Sequence, residues 1–410
     1  MRKKKLLFST WMAAVALVGS LFAFAWAGGT PAPALAGNDA WSVVTSPNLG
    51  SANNFLRGVS TVDSDTAFAV GFHNNSSSGY DTSVLLWDGS DWSQEGSDNL
   101  GFYENQLHAV SAASETDAWA VGNGTYLAST QYPRTLILRR TSNTETPTGY
   151  QWDVVPSPYR LAANNTLRGV ATLDENNAWA VGFSYVGSPL PWLLQWDGTS
   201  WEEVEVPLPQ NADYAALYSV SVSEEQVWAV GTYIDENHDY QTLTIYRDLA
   251  GDDWELAESP NEDGDNRLLG VKTVANGDTW AVGAFEYGTV SGHALTMRLE
   301  EGWTIYPSAY PTHTDHLASV DYSFGTSFWA VGTTYNSPHQ TLSEYWDGDE
   351  WIGISTPNVG TSHNRLHSVS VKPGSSACGG GRMWAVGEYY HTTNSEYQNL
   401  ILEYTFIPSC

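Results

Sequence analysis

Apolar residues in this chain fall in short runs of four to seven, rich in Val, Leu and Trp and closed by Gly, Pro, Asn or Asp. Runs of that length with turn residues at both ends predict β-strands, and the apolar positions show no helical spacing. The stretch from Trp152 to Trp201 contains one whole unit. Its four predicted strands are Trp152-Asp-Val-Val-Pro, Asn165-Thr-Leu-Arg-Gly-Val-Ala, Ala178-Trp-Ala-Val-Gly182 and Trp192-Leu-Leu-Gln-Trp-Asp-Gly198. The leading Trp recurs at Trp41, Trp92, Trp152, Trp201, Trp254, Trp303 and Trp351. The Ala-Val-Gly run recurs from Ala69, Ala120, Ala180, Ala229, Ala281, Ala330 and Ala385, each preceded by Trp except the first, which has Phe68. Seven units with steps of about fifty residues predict an all-β, seven-bladed β-propeller of four-stranded antiparallel blades.

Within a unit, the innermost strand is the one led by Leu56, Leu107, Leu167, Leu217, Leu268, Leu317 or Leu366. The Ala-Val-Gly strand comes second. The third ends in Trp-Asp-Gly at Trp87, Trp196 and Trp346, where Asp-Gly suits a tight hairpin into the Trp-led outer strand. Trp41 leads an outer strand with no blade before it, and the last unit stops after its third strand. Residues 41–46 are therefore expected to complete the seventh blade and close the ring, which also removes its free edge. The meander puts the loops 73–81, 124–132, 184–190, 233–240, 285–292, 334–339 and 390–397 on one face. Variable loops on a rigid scaffold are the expected binding surface.

Charge narrows the partners. The formal net charge is −29. Without Arg2, Lys3, Lys4 and Lys5 the 17 basic residues become 13 against 46 acidic ones, a net of −33. Such a surface repels nucleic acid and anionic lipid, leaving an extracellular carbohydrate or protein as the expected partner. The four basic residues precede an apolar run from Leu6 to Ala27, so residues 1–27 are expected to be an export signal or an uncleaved N-terminal membrane anchor. Residues 28–40 form a Gly/Pro/Ala linker, and 41–410 the propeller at or outside the cell surface. In an exported chain, Cys378 and Cys410 are expected to form a disulfide, because the ends of the first and third strands lie on one face.

The unit Leu-x-Gly-Val, Trp-Ala-Val-Gly, apolar strand, Asp-Gly and Trp resembles bacterial secreted propellers with Trp-Ala-Val-Gly repeats. These are related to the Asp-box neuraminidase-like repeats and similar to photosystem II assembly factor propellers. The resemblance covers residues 41–407 and implies the ring rather than a substrate, since this architecture hosts hydrolases, lectins and scaffolds. The Asp-box spacing is not kept: Asp stands directly before Gly, as in Trp196-Asp-Gly-Thr-Ser-Trp201.

Residues that recur in every blade serve the blade, so symmetry sorts the candidates. Asn54, Asn105, Asn165, Asn266, Asp315 and Asn364 stand two positions before the inner Leu, with Ala215 the exception. They form either a polar ring for a ligand or cation, or turn formers bonded to their own loops. His313, Asp315, His316 and His363 break the symmetry and make a candidate transition-metal set, against solvated loop histidines. Residues 261–266 are an oxygen-rich candidate for Ca²⁺, against an acidic turn. No other cofactor is expected. Loop tyrosines Tyr80, Tyr126, Tyr185, Tyr233, Tyr287, Tyr335 and Tyr390 suit sugar stacking or protein contact, against packing under their own loops.

No nucleophile, zinc or phosphate-loop motif is present. A neuraminidase-type site would need an arginine cluster and unequal carboxylates at the mouth. Arg57, Arg168, Arg267 and Arg365 lie on inner strands, but in two pairs at different positions, and predict no triad. The expectation is a non-catalytic binding or scaffold module using the variable-loop face. The alternative is a glycan-active hydrolase or lyase at the channel mouth. Carboxylates about 5–10 Å apart there would favour the enzyme; an Asn ring with a Tyr rim would favour binding.

Overall fold

In the computed structural model of the protein, the described residues are 40–410 without 76–78, 102, 126–131, 213, 252, 287–291, 311–313, 373–380 and 407–410. The predicted export segment, Cys378 and Cys410 lie outside them. The seven repeats form seven four-stranded sheets with all neighbours antiparallel. Six blades are continuous in sequence, from 54–94 to 315–353. The seventh joins 364–406 to Trp41–Val44, which pairs from Trp41 opposite Tyr404 to Val44 opposite Ile401.

Burial follows position in the blade. The second strands are buried on both faces, because each sheet is sandwiched between two others: Ala67 to Phe72 and Ala118 to Gly124 are buried throughout. Outer strands bury chiefly the leading Trp, as in Trp92–Gln94 and Trp351–Gly353. In six blades the second-strand aromatic meets outer aromatics of the next blade. Trp119 meets Trp196 at 4.9 Å and Trp201 at 5.1 Å, Trp280 meets Trp346 and Trp351, and Phe68 meets Trp152. The ring closes the same way, Trp384 against Trp87 and Trp92, and Trp329 against Trp41 and Tyr404. Tilted and edge-on pairs of this kind add to the area they bury.

Between the first and second strands the register slips by one residue directly after the inner Leu in all seven blades, for example between Leu56 and Gly58. This β-bulge explains the repeated glycine. A Cβ on Gly71 would collide with the carbonyl oxygen of Phe55, and the same clash recurs at the other Ala-Val-Gly glycines. The bulge also re-aims its extra residue toward the axis. Adjacent inner strands, which share no sheet, are clasped by hydroxyls instead. Ser370 Oγ accepts from the Thr61 amide at 2.9 Å, Ser60 from Ala112 at 3.1 Å and Ser111 from Thr172 at 3.0 Å. Blades 1 and 2 are pinned further out by Glu95, which accepts from Arg140 at 2.8 and 2.9 Å and from Trp152 Nε1 at 2.7 Å, all buried.

Candidate functional site at the channel mouth

The seven bulged residues are Arg57, His108, Arg168, Tyr218, Leu269, Ala318 and His367, and together they ring a central channel of about 320 Å³. Five long polar side chains are followed by Leu269 and Ala318 in blades 5 and 6. Over those two shorter residues the mouth widens into a cavity of about 350 Å³, walled by Arg168, Tyr218, Arg267, His316, Tyr335 and His367. Arg267 and His316 come from the position just before the inner Leu. Cations from two heights of the inner strand thus converge on one mouth. No Asp or Glu is among the described residues that line the cavity.

Aromatic rings hold these groups in place. The Arg267 guanidinium lies 4.4 Å over the Tyr240 ring, which packs on Tyr214 at 5.2 Å. Tyr335 lies 4.4 Å from the His316 ring and 4.9 Å from His339, whose ring meets His363 at 4.3 Å. Arg365 reaches His339 Nδ1 with Nε at 3.2 Å. Burial and then the nearby Arg267 push His316 down to about 4, so its imidazole is neutral at pH 7. Burial, Arg168 and Arg57 likewise hold His108 well below the usual imidazole range, against the hydrogen bond with Asn123. The positive charge at the mouth therefore resides chiefly on the arginines.

Glu388 stands behind this ring. Its carboxylate accepts from Arg57 Nη1 at 2.6 Å and His367 Nε2 at 2.8 Å, with Arg365 Nη1 at 3.6 Å. Burial opposes its ionisation, but His367, Arg57 and Arg365 outweigh it and hold the carboxyl at about 2. The same strand position carries Phe72, Asn123, Phe183, Thr232, Ala284 and Thr333 in the other blades. Sequence symmetry marks this lone carboxylate, since it breaks the repeat just as the histidines do. The arginine convergence had no such signal, because a bulge is invisible in spacing.

Several expected site residues serve the scaffold. Asn54, Asn105, Asn165, Asn266 and Asn364 are buried, and each spends its amide on its own crossing loop. Asn54 accepts from Gly50 and donates to Ala52, and Asn364 accepts from Val359 and donates to Ser362. Asp315 is buried and accepts from Thr334 Oγ1. Of the two readings of this ring, these hydrogen bonds are those of turn formers bonded to their own loops. In the proposed Ca²⁺ loop, Asn261 accepts from the Thr242 amide and Asn266 ties Glu262 and Gly264.

Of the metal set, His313 lies outside the described residues, His316 walls the cavity, and His363 Nδ1 accepts from the His339 amide at 3.0 Å. Among the described residues no three His, Cys, Asp or Glu are grouped to hold a metal ion. Tyr126 and Tyr287 lie outside the described residues. Tyr80 packs on Phe55 and Phe72, Tyr390 on Tyr397, and Tyr233 is partly buried. Tyr185 is exposed on the rim. Tyr335, 38 % exposed, is the one of the described set that lines the cavity.

The crossing loop that enters blade 6 is held by Glu344, which is buried and accepts from Ser308 Oγ at 2.5 Å and the Ala309 amide at 3.1 Å. Burial pushes this carboxyl up to about 7, against those two hydrogen bonds, and Asp315 adds to the rise. Below its ordinary value of 4.5 both folded and unfolded states keep the proton; from there to about 7 only the folded state does. Stability from this group is therefore lost as pH rises through that window. The stability gain of Glu344→Gln over the parent should grow from pH 4.5 to 7 and then level off, as denaturant titrations would show. A difference that is flat with pH would mean the carboxyl is ionised throughout. Comparing the two proteins cancels the opposite contribution of the depressed histidines.

No family model matches the chain, and no curated protein matches it. Solved structures do. A sialidase from Trypanosoma rangeli aligns at 11% identity and a TM-score of 0.46 over 89% of this chain and 59% of its own. The hemagglutinin-neuraminidase ectodomain of parainfluenza virus 5 aligns at 8% identity and 0.48, over 91% and 87%. An ulvan lyase, from a polysaccharide lyase family, aligns at 11% and 0.54, over 85% and 94%. The chain thus spans 59% of the length of the trypanosomal sialidase. Identities this low define the class by fold alone, a seven-bladed β-propeller.

Proposed function

We propose that the protein is an exported module that binds an acidic saccharide, seated in the cavity over blades 5 and 6 with its anionic group at Arg168 and Arg267. The observation that carries this is a cavity lined by arginines and tyrosines, with no carboxylate in its described lining, within a chain of net charge −29. About 350 Å³ is the scale of a small-ligand site. A guanidinium pairs bidentately with carboxylate or sulfate, and Tyr218 and Tyr335 offer ring faces and hydroxyls to a sugar. Propellers of this fold include a polysaccharide lyase, so the scaffold is compatible with a saccharide at its axis. Of the catalytic alternatives, a hydrolase would need paired carboxylates, which the described lining lacks. A lyase acting on a uronate would instead need a neutralised carboxylate and a His or Tyr base. Arg267, His316 and Tyr218 fit that chemistry, which makes a lyase the second reading.

The test is a panel of acidic and neutral saccharides titrated against the purified protein, with and without Ca²⁺, the chemical integrity of each glycan being followed. Saturable binding of uronate- or sialate-bearing glycans, left intact, is the expected result. Arg267→Ala should weaken it by about 10- to 100-fold, the worth of one charge-assisted contact. Cleavage with an unsaturated product would replace binding by lyase activity. A silent panel would leave a protein partner.

A further inference from the structure

We infer that Glu388 is a built-in counter-ion that occupies the place of a second ligand anion, so that the mouth selects a saccharide unit carrying a single negative charge. The selectivity rests on the acidic-saccharide reading; the counter-ion itself does not. Four guanidiniums lie at or beside the mouth: Arg57 lines the channel, Arg168 both the channel and the cavity, Arg267 the cavity, and Arg365 adjoins them at Glu388. Two of them, Arg57 and Arg365, are turned to one carboxylate, and His367 donates to the same group. The two sides of this cluster differ in exposure. Glu388 is 1 % exposed, whereas the Arg57 and Arg365 side chains are 23% and 29% exposed. The cations thus stand between solvent and the carboxylate, and an approaching ligand meets guanidiniums whose charge is already offset from behind.

A pair needed only to hold blades 7 and 1 together would not have to sit at the channel. Those blades are already joined by the Ser370 clasp and by Trp384 against Trp87 and Trp92. The other six blades place only uncharged residues at the Glu388 position. The carboxylate therefore answers to the mouth and not to the repeat. With it in place, the blade 7 and blade 1 side offers little net attraction to a second anion, while Arg168 and Arg267 line the cavity across the mouth. A unit with both carboxylate and sulfate would have to face Glu388 through low-dielectric surroundings, where like-charge repulsion is strong.

Glu388→Gln keeps the size and the accepting oxygen while removing the charge. Inorganic sulfate is the first probe, because it needs no saccharide. The variant should show a sulfate-dependent rise in melting temperature, saturating with concentration and beyond that of the parent. The double variant Arg57→Gln/Glu388→Gln should lose it. With saccharides, Glu388→Gln should raise the affinity ratio of doubly over singly charged units by about 10-fold, the effect of one close charge. The reciprocal Arg57→Gln should weaken acidic saccharides about 3- to 10-fold by leaving Glu388 under-compensated. If Glu388→Gln folds but gains no sulfate response, the counter-ion inference falls while acidic-saccharide binding can stand. If the sulfate response appears but no saccharide binds, the proposed function falls and the counter-ion stands. Equal weakening of all anions in Glu388→Gln would reduce Glu388 to a positioning residue and overturn the selectivity.

Discussion

Replacing Trp41 by alanine is expected to cost about 3–5 kcal/mol of stability, although Trp41 leads a strand of only four residues. The reason is where that strand lies. Trp41 is buried against Trp329 at 6.0 Å and Tyr404 at 5.5 Å, and its Nε1 donates to Ser343 Oγ at 3.2 Å. One side chain thus joins the N-terminal strand to the last blade and to the blade before it. Ser42 and Val43 are exposed, and besides its pairing with the third strand of blade 7 the segment is held by Val44, packed on the core between blades 7 and 1, and by hydrogen bonds from Asn399 to Pro47 and Asn48. Denaturant unfolding should show the lower midpoint, and limited proteolysis should cut first near residue 41. Trp41→Phe should recover part of the loss. An alanine variant as stable as the parent would mean that the ring holds without its closing strand.

The second large effect is at the buried pair between blades 1 and 2. Arg140→Met should destabilise by about 3–5 kcal/mol, because it strands the buried Glu95 charge with only Trp152 Nε1 as donor among its described partners. Adding Glu95→Gln should restore most of that stability, since the charge is gone while an acceptor for Trp152 remains. A double-mutant cycle by denaturant titration checks both. If the double variant were no better than Arg140→Met alone, packing of the guanidinium on Tyr150, at 3.7 Å, would be the main contribution.

Much of this architecture was legible beforehand because it is local and repeated. Trp-Ala-Val-Gly is a strand flanked by sheets on both faces, Trp87-Asp-Gly marks a hairpin, and Trp41 without a blade implies closure by the termini. The site was legible only in fragments. His316 and Tyr335 stand out in the repeat and line the cavity, whereas Asn54 and its equivalents bond their own loops. In sequence Arg57 follows its inner Leu and Arg267 precedes it, which sets the two apart. The bulge brings both positions to the axis, at neighbouring heights.

The sequence by itself determined the number of blades, the order of strands, the aromatic seams and the closing strand. Each follows from residue type and period along one unit, or from the absence of a strand at an end. Only the tertiary structure decided where charge collects. It placed Glu388 from one blade against Arg57 from the next, about 330 residues away in sequence but 2.6 Å away in space. It opened the cavity where Leu269 and Ala318 leave room between longer neighbours. Those are contacts among blades around a common axis. A ring brings distant repeats together by rotation, and no spacing within a single repeat records that.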